Sequence, residues 1–195
     1  MSEALAAALA AARACRLCDG KLLLGPRPVL RANETARLLI VGQAPGTRVH
    51  LTGLPFNDPS GDRLRAWLQV DRETFYDERR IAIIPAGLCY PGRDAKGGDL
   101  PPVPECGPLW HPRLRPLLPQ IALTLLVGSY AQRLYLGPRL KPTLTETVAA
   151  FRDYLPELLA LPHPSWRNTG WLKREAWFET DVLPELRMRV RDLIG

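Results

Sequence analysis

Arg37-Leu-Leu-Ile-Val-Gly42, followed at once by Gln43-Ala-Pro-Gly46, is the stretch on which the fold turns. A short apolar run without polar alternation predicts a strand buried on both faces, and the Gly-Gln-Ala-Pro-Gly segment predicts a sharp loop at its end. Ile81-Ala-Ile-Ile84 and Leu123-Thr-Leu-Leu-Val-Gly128 repeat the pattern, and Leu158-Leu-Ala-Leu161 supplies a fourth strand just before His163-Pro164-Ser165. Helical patterns run from Ser2 to Ala14, Asp62 to Leu68, Pro112 to Leu118, Ser129 to Leu136 and Gly170 to Val190, the last interrupted by Pro184 and so kinked or split in two. Strands alternating with helices predict an α/β fold: three layers, α/β/α, around a central four-stranded, mostly parallel sheet. No repeat divides residues 1–195, which read as a single domain. Sites in such sheets lie outside the carboxyl ends of the strands. Gly42 to Gly46, Pro85 to Gly92 and His163 to Asn168 all follow predicted strands, so one cleft is expected to gather them.

The bulk properties narrow the class. Lys and Arg number 26 against 20 Asp and Glu, giving +6 with the three histidines neutral. Hydrophobic content of 46% with 24% charged residues sits near globular averages and argues against disordered, collagen-like or coiled-coil chains. No apolar run approaches the roughly 18 residues that would span a bilayer, so no membrane partner is expected. The Ala-rich start lacks a basic segment before its apolar stretch and reads as a helix, not a signal peptide. The expected setting is the reducing cytoplasm, where spaced cysteines hold metal more often than they form disulfides. The 20 prolines are scattered, as in a loop-rich enzyme. Nothing in the chain signals an oligomer or a protein partner, and a monomer is expected.

The four cysteines are Cys15-Arg-Leu-Cys18, Cys89 and Cys106. Two intervening residues let both sulfurs of a pair face one ion or cluster, and two distant cysteines complete a four-ligand set. Ligand type alone does not separate zinc from iron–sulfur. Four buried thiols acting as small hydrophobes are the alternative.

Taken together, Gly42-Gln-Ala-Pro-Gly46, Thr52-Gly-Leu-Pro-Phe56, the cysteine positions and His163-Pro-Ser165 resemble the uracil-DNA glycosylase superfamily. The resemblance is nearest to its iron–sulfur branches, families 4 and 5, and runs from about Cys15 to Ser165. It implies a base-excision repair enzyme that binds DNA, extrudes a deaminated base and hydrolyses its N-glycosidic bond, with uracil the first candidate. It further implies a structural [4Fe–4S] cluster on Cys15, Cys18, Cys89 and Cys106, with zinc the alternative and no organic cofactor. Gly42, Gln43, Ala44, Pro45, Gly46 and Ser165 would line the base pocket and Phe56 would stack on the base. His163 would stabilise the charge of the departing base, as a donor aimed at developing charge lowers the barrier.

Two departures from the family pattern bear on chemistry. Family 4 has Glu where this chain has Gln43, and family 1 has Asp where it has Ala44. Asp58-Pro-Ser-Gly-Asp62 resembles the Asp-x-Ser-Gly-Asp of family 5, which makes Asp58 the candidate for orienting water, while Gln43 would hold water without acting as a base. The Asn that reads uracil in families 4 and 5 is replaced by Pro85, which has neither a side-chain donor nor an N–H. Asn57 is a substitute amide approaching from another direction. Both departures also motivate a second reading, a catalytically weak DNA-binding protein of the same fold that recognises damage.

The remaining expectations concern the surface. Trp166 and Arg167 stand where the superfamily inserts a loop into the duplex and would fill the vacated stack; alternatively Trp166 packs on the last helix. Arg63, Arg65, Arg79, Arg80, Arg113, Arg115, Lys173 and Arg174 are candidates for phosphate contacts or simply a solvated basic face. Asp62 reads as a helix cap, and His50 and His111 as surface or loop histidines.

Overall fold

The structure is a computed structural model that describes residues 1–95 and 97–195. Its strands are β1 (Leu38–Val41), β2 (Ile81–Ile83), β3 (Leu123–Val127) and β4 (Leu158–Leu161). They pair in the order β2-β1-β3-β4, and every pairing is parallel, with Ile40 opposite both Ile83 and Leu125. The helices are α1 (Glu3–Arg13), α2 (Thr47–Thr52), α3 (Pro59–Leu68), α4 (Arg72–Tyr76), α5 (Cys106–Leu114), α6 (Ser129–Leu136), α7 (Leu144–Ala149), α8 (Phe151–Tyr154), α9 (Thr169–Arg174) and α10 (Leu183–Ile194).

Alternate residues of each strand enter different cores, as the pleat demands. Leu38 and Ile40 face a cluster with Leu64, Phe75, Trp171, Phe178 and Leu186, supplied by α3, α4, α9, α10 and the turn between the last two. Leu39 and Val41 face the opposite cluster with Leu5, Leu9, Trp110 and Leu114, supplied by α1 and α5. The three-layer architecture therefore follows from strands that are apolar at every position but Thr124, itself buried, which only two covered faces can bury. Among the described residues no helix is long and apolar enough to cross a membrane.

Local chemistry sets the element ends. Ser2 caps α1 by accepting from the Leu5 N–H. Thr143 and Glu146 form a capping box on α7. α3 begins at Pro59, three residues before the expected start, because Asp58, not Asp62, is its cap: Asp58 Oδ1 accepts from the Gly61 N–H at 2.9 Å. Asp62 lies on the exposed first turn and pairs with Arg65. The helix expected at Pro112 begins earlier, at Cys106, and encloses Pro112 before ending in a 3-10 turn at Arg115–Leu117. The C-terminal segment is indeed two helices, but the break is a π-turn at Phe178–Val182, and Pro184 stands in the first turn of α10, where its missing N–H costs nothing.

The strand order reverses between β1 and β3, which leaves a crevice at the carboxyl ends where the loops diverge. Buried Gln132 of α6 braces that end: its Nε2 donates to the Leu161 carbonyl at 2.9 Å, two residues before His163. Gln132→Leu keeps the volume but removes the donor, so stability should fall by about 1 kcal/mol. A melting temperature lowered by roughly 2–4 °C is expected, and an unchanged one would show that the brace is redundant with the Gly128 N–H that shares the same carbonyl.

Candidate active site

A cavity of about 370 Å³ opens at the carboxyl ends of the strands. Gly42, Gln43, Ala44, Pro45 and Gly46 line it from the loop after β1, Phe56 and Asp58 from the segment leading into α3, Pro85 from the end of β2, and His163, Ser165, Trp166 and Arg167 from the loop after β4. Residues more than 100 positions apart in the chain thus share one concave surface of ordinary ligand-pocket size.

Phe56 is held by contacts that tolerate little change. Its backbone is in the left-handed region, φ 53°, which is uncommon for a bulky residue and recurs at functional sites. A Cβ on Gly61 would lie 1.7 Å from the Phe56 carbonyl oxygen, so only glycine fits beneath it. A Cβ on Gly42 would lie 3.0 Å from Phe56 Cζ, which puts the ring directly against the backbone of the loop after β1. Phe75 meets the ring edge-on, with centroids 6.2 Å apart. One part of Phe56 therefore packs on the core while the rest faces the cavity.

His163 stands beside Gly128, whose φ of 87° disfavours any side chain and where an added Cβ would press on His163 Cβ at 3.3 Å. Asn168 Nδ2 donates to the His163 carbonyl at 2.7 Å and fixes the loop. Desolvation holds the imidazole below its ordinary value, against the opposing pull of the Asp58 and Asp99 carboxylates. A neutral ring at pH 7 follows, able to donate one N–H to an anion forming in the cavity.

Gln43 Nε2 donates to the Leu100 carbonyl at 3.1 Å, which engages one amide N–H and ties the loop after β1 to Leu100. Asn57 is not among the cavity-lining residues. Its Oδ1 accepts from Arg72 and its Nδ2 faces Thr52 Oγ1, so the expectation that it replaces the missing amide fails. Pro85 does line the cavity, but its carbonyl is engaged from behind by His111 Nε2 at 3.0 Å. A carbonyl only accepts, so Nε2 carries the proton and Nδ1 accepts from Tyr135 Oη at 2.8 Å. His111 is thus a buried bracing residue of α5, 6% exposed, and not the expected surface histidine. His50 is likewise buried, 8% exposed, on α2 against the Tyr90 ring.

The basic residues divide sharply. Arg63 lines the cavity and donates to the Ser165 carbonyl, and Arg48, Arg93 and Arg167 stand with it. Arg65 is buried over the Phe75 and Tyr76 rings, Arg115 bonds the Leu118 and Ile121 carbonyls, and Arg80 the Ile194 carbonyl. These three serve the fold. Trp166 is 72% exposed on the cavity rim with the Arg167 guanidinium over its ring, so it does not pack on the last helix. Asp99, Arg93 and Arg48 carry no motif signal; Asp99 stands in a Gly- and Pro-rich stretch that reads only as a loop.

The four cysteines are free, and each of Cys15, Cys18 and Cys106 contributes to the charge field at Cys89. Burial pushes the Cys89 thiol up to about 12 and that of Cys106 up to about 11. The Leu88 N–H points at Cys106 Sγ, 3.2 Å away. Among the described residues, no three His, Cys, Asp or Glu side chains stand close enough to hold one metal ion together.

The family model described as the uracil DNA glycosylase superfamily matches residues 31–187, a span that begins after Cys15 and Cys18. A solution NMR structure of a candidate uracil DNA glycosylase from Methanosarcina acetivorans is similar at 17% identity and a TM-score of 0.46, over 83% of this chain and 98% of that one.

Desolvation lowers all three histidines, so the unfolded chain binds more protons than the native one in mild acid. Their contribution is intact above the unfolded value of 6.5 and is lost as pH falls through the folded-state values. The urea midpoint should hold between about pH 7 and 8 and drop steadily between about 6.5 and 5. A midpoint that stays level or rises on acidification would contradict the buried, neutral assignment.

Proposed function

We propose that this chain, which belongs to the uracil DNA glycosylase superfamily, removes a deaminated base from DNA by hydrolysing its N-glycosidic bond, with uracil the first substrate to try. The observation that carries this reading is the convergence of the Gly42–Gly46 loop, Phe56, Asp58 and His163 on one cavity. Such an enzyme takes the base out of the stack and reads it in a pocket. Phe56 offers a ring already locked in place, and Arg48, Arg63, Arg93 and Arg167 at the mouth suit phosphate oxygens. Trp166, exposed beside them, is placed to fill the gap that the base leaves.

In this mechanism Asp58 orients a water towards C1′ of the sugar with the carboxylate oxygen not engaged in capping α3. As the C1′–N bond breaks, its electron pair leaves with the base, and the neutral His163 N–H stabilises the resulting anion. Gln43 lines the pocket and holds its wall to the Leu100 carbonyl. Pro85 leaves that part of the pocket without a side-chain amide, so discrimination between bases falls more on shape.

Cys15, Cys18, Cys89 and Cys106 would hold a [4Fe–4S] cluster. An N–H directed at Cys106 Sγ is the kind of hydrogen bond that tunes a cluster sulfur. When bound, the cluster would supply structure, joining the segment after α1 to the start of α5. Anaerobically purified protein should carry iron and sulfide that Cys89→Ser removes; stoichiometric zinc without iron would overturn the assignment and leave the fold untouched.

The function is tested by base release from otherwise identical oligonucleotides carrying uracil, hypoxanthine or xanthine. His163→Ala should slow release by about 10²–10³-fold, and Asp58→Asn, which preserves the helix cap, by about 10²-fold or more. Both should bind DNA as the parent does. No release from any substrate by metal-replete protein that still binds DNA would establish the second reading, a damage-recognition protein without catalysis.

A further inference from the structure

We propose that Asp99 is a second catalytic carboxylate, which holds the attacking water together with Asp58; the inference rests on the glycosylase reading above. A Cβ on Gly46 would lie 3.8 Å from Asp99 Oδ2 and 4.0 Å from Asp58 Oδ2, so the two oxygens flank one point on the cavity wall. The other oxygen of each is occupied: Asp58 Oδ1 accepts from the Gly61 N–H, and Asp99 Oδ1 faces Arg93 Nε at 3.4 Å. Both side chains thus present Oδ2 to the same space. Both line the same cavity as His163, and their charge acts on its imidazole.

The loop that carries Asp99 is fastened into the wall. Arg93 and Asp99 form an antiparallel bridge, and the Leu100 N–H donates to the Gly92 carbonyl at 2.9 Å. Gln43 holds the Leu100 carbonyl from one side of the cavity, and Arg167 Nη2 holds the Gly97 carbonyl at 3.1 Å from the other. The segment therefore joins the loop after β1 to the loop after β4, with Asp99 between the two attachments.

Its charge is paired with Arg93 through Oδ1, which leaves Oδ2 to be accounted for. A carboxylate at a mouth lined by Arg48, Arg63, Arg93 and Arg167 repels phosphate and weakens DNA binding. It favours, however, the positive charge that develops on a sugar as its glycosidic bond breaks. The catalytic charge is then divided between Asp58 and Asp99, the two carboxylates that line the cavity. In the step itself the water oxygen bonds to C1′ and the C1′–N bond breaks. The electron pair departs with the base, and the water proton passes to the carboxylate pair and on to solvent. The products are the free base and an abasic sugar bearing the new hydroxyl.

Single-turnover base release and DNA affinity, measured for the parent, Asp99→Asn, Asp99→Glu, Asp58→Asn and the double Asn variant, test this. Asp99 is exposed enough that its substitution should leave folding intact, which a thermal melt checks. Asp99→Asn should lower the rate about 100-fold while binding DNA as tightly as the parent or more so, and Asp99→Glu should recover part of the rate. The double variant should be little slower than the worse single one, as expected when two groups hold one water. An Asp99→Asn rate within about twofold of an active parent, or a loss explained wholly by weaker DNA binding, overturns this inference alone. A parent inactive on every base overturns the glycosylase reading as well.

Discussion

Burial of the sheet on both faces is the constraint from which the rest follows. Strands apolar on both faces, with Thr124 the one polar residue among them, cannot leave a face in water, so helices must cover each side, and parallel pairing then sends every connection from the carboxyl end of one strand across a layer to the next. Because the order reverses between β1 and β3, the loops leaving those ends diverge and a crevice remains. The residues proposed to act on the base stand on that rim. The two cores below it hold the loops by packing, so the site owes its geometry to residues that take no part in chemistry.

Close backbone contacts convert this rim into a pocket. A methyl group on Gly61 would collide with the Phe56 carbonyl, and one on Gly42 or Gly128 would press tightly on the Phe56 ring or on His163. His111 and Tyr135 form a second support, holding Pro85 by its carbonyl from the far side of the sheet end. The electrostatics are arranged with the same economy. Apolar surroundings keep the His163 imidazole neutral although two carboxylates draw it towards its charged form. In the proposed reaction that balance would give a donor for the departing anion and negative charge near the sugar.

The strands, the layer order and the pocket-lining motifs were legible because each is a local pattern: an apolar run, a glycine-rich loop, a histidine directly after a strand. Short helices such as α2 and α4, which are set by caps and tertiary contacts, were not. The capping pattern Thr143-x-x-Glu146 was readable and passed over. His111 reads as a loop histidine because the helix pattern starts only at Pro112, one residue after it, whereas α5 begins at Cys106 and encloses both. Asn57 was misread because adjacency to Phe56 in sequence says nothing of direction, and Arg72 turns its amide away. Asp99 was invisible for a different reason: its place depends on hydrogen bonds that span 57 and 70 residues, from Gln43 to Leu100 and from Gly97 to Arg167.

The central claim is that the cavity at the strand ends receives a base drawn out of DNA onto Phe56. Its most direct test is the fluorescence of 2-aminopurine placed beside a non-hydrolysable 2′-fluoro-deoxyuridine in a duplex, titrated with the protein to saturation. Loss of stacking on base extrusion should raise the emission, and Phe56→Ala should bind the duplex while giving a much smaller rise. Saturated binding with no change in emission would show that the base stays in the helix and that the cavity is not its pocket.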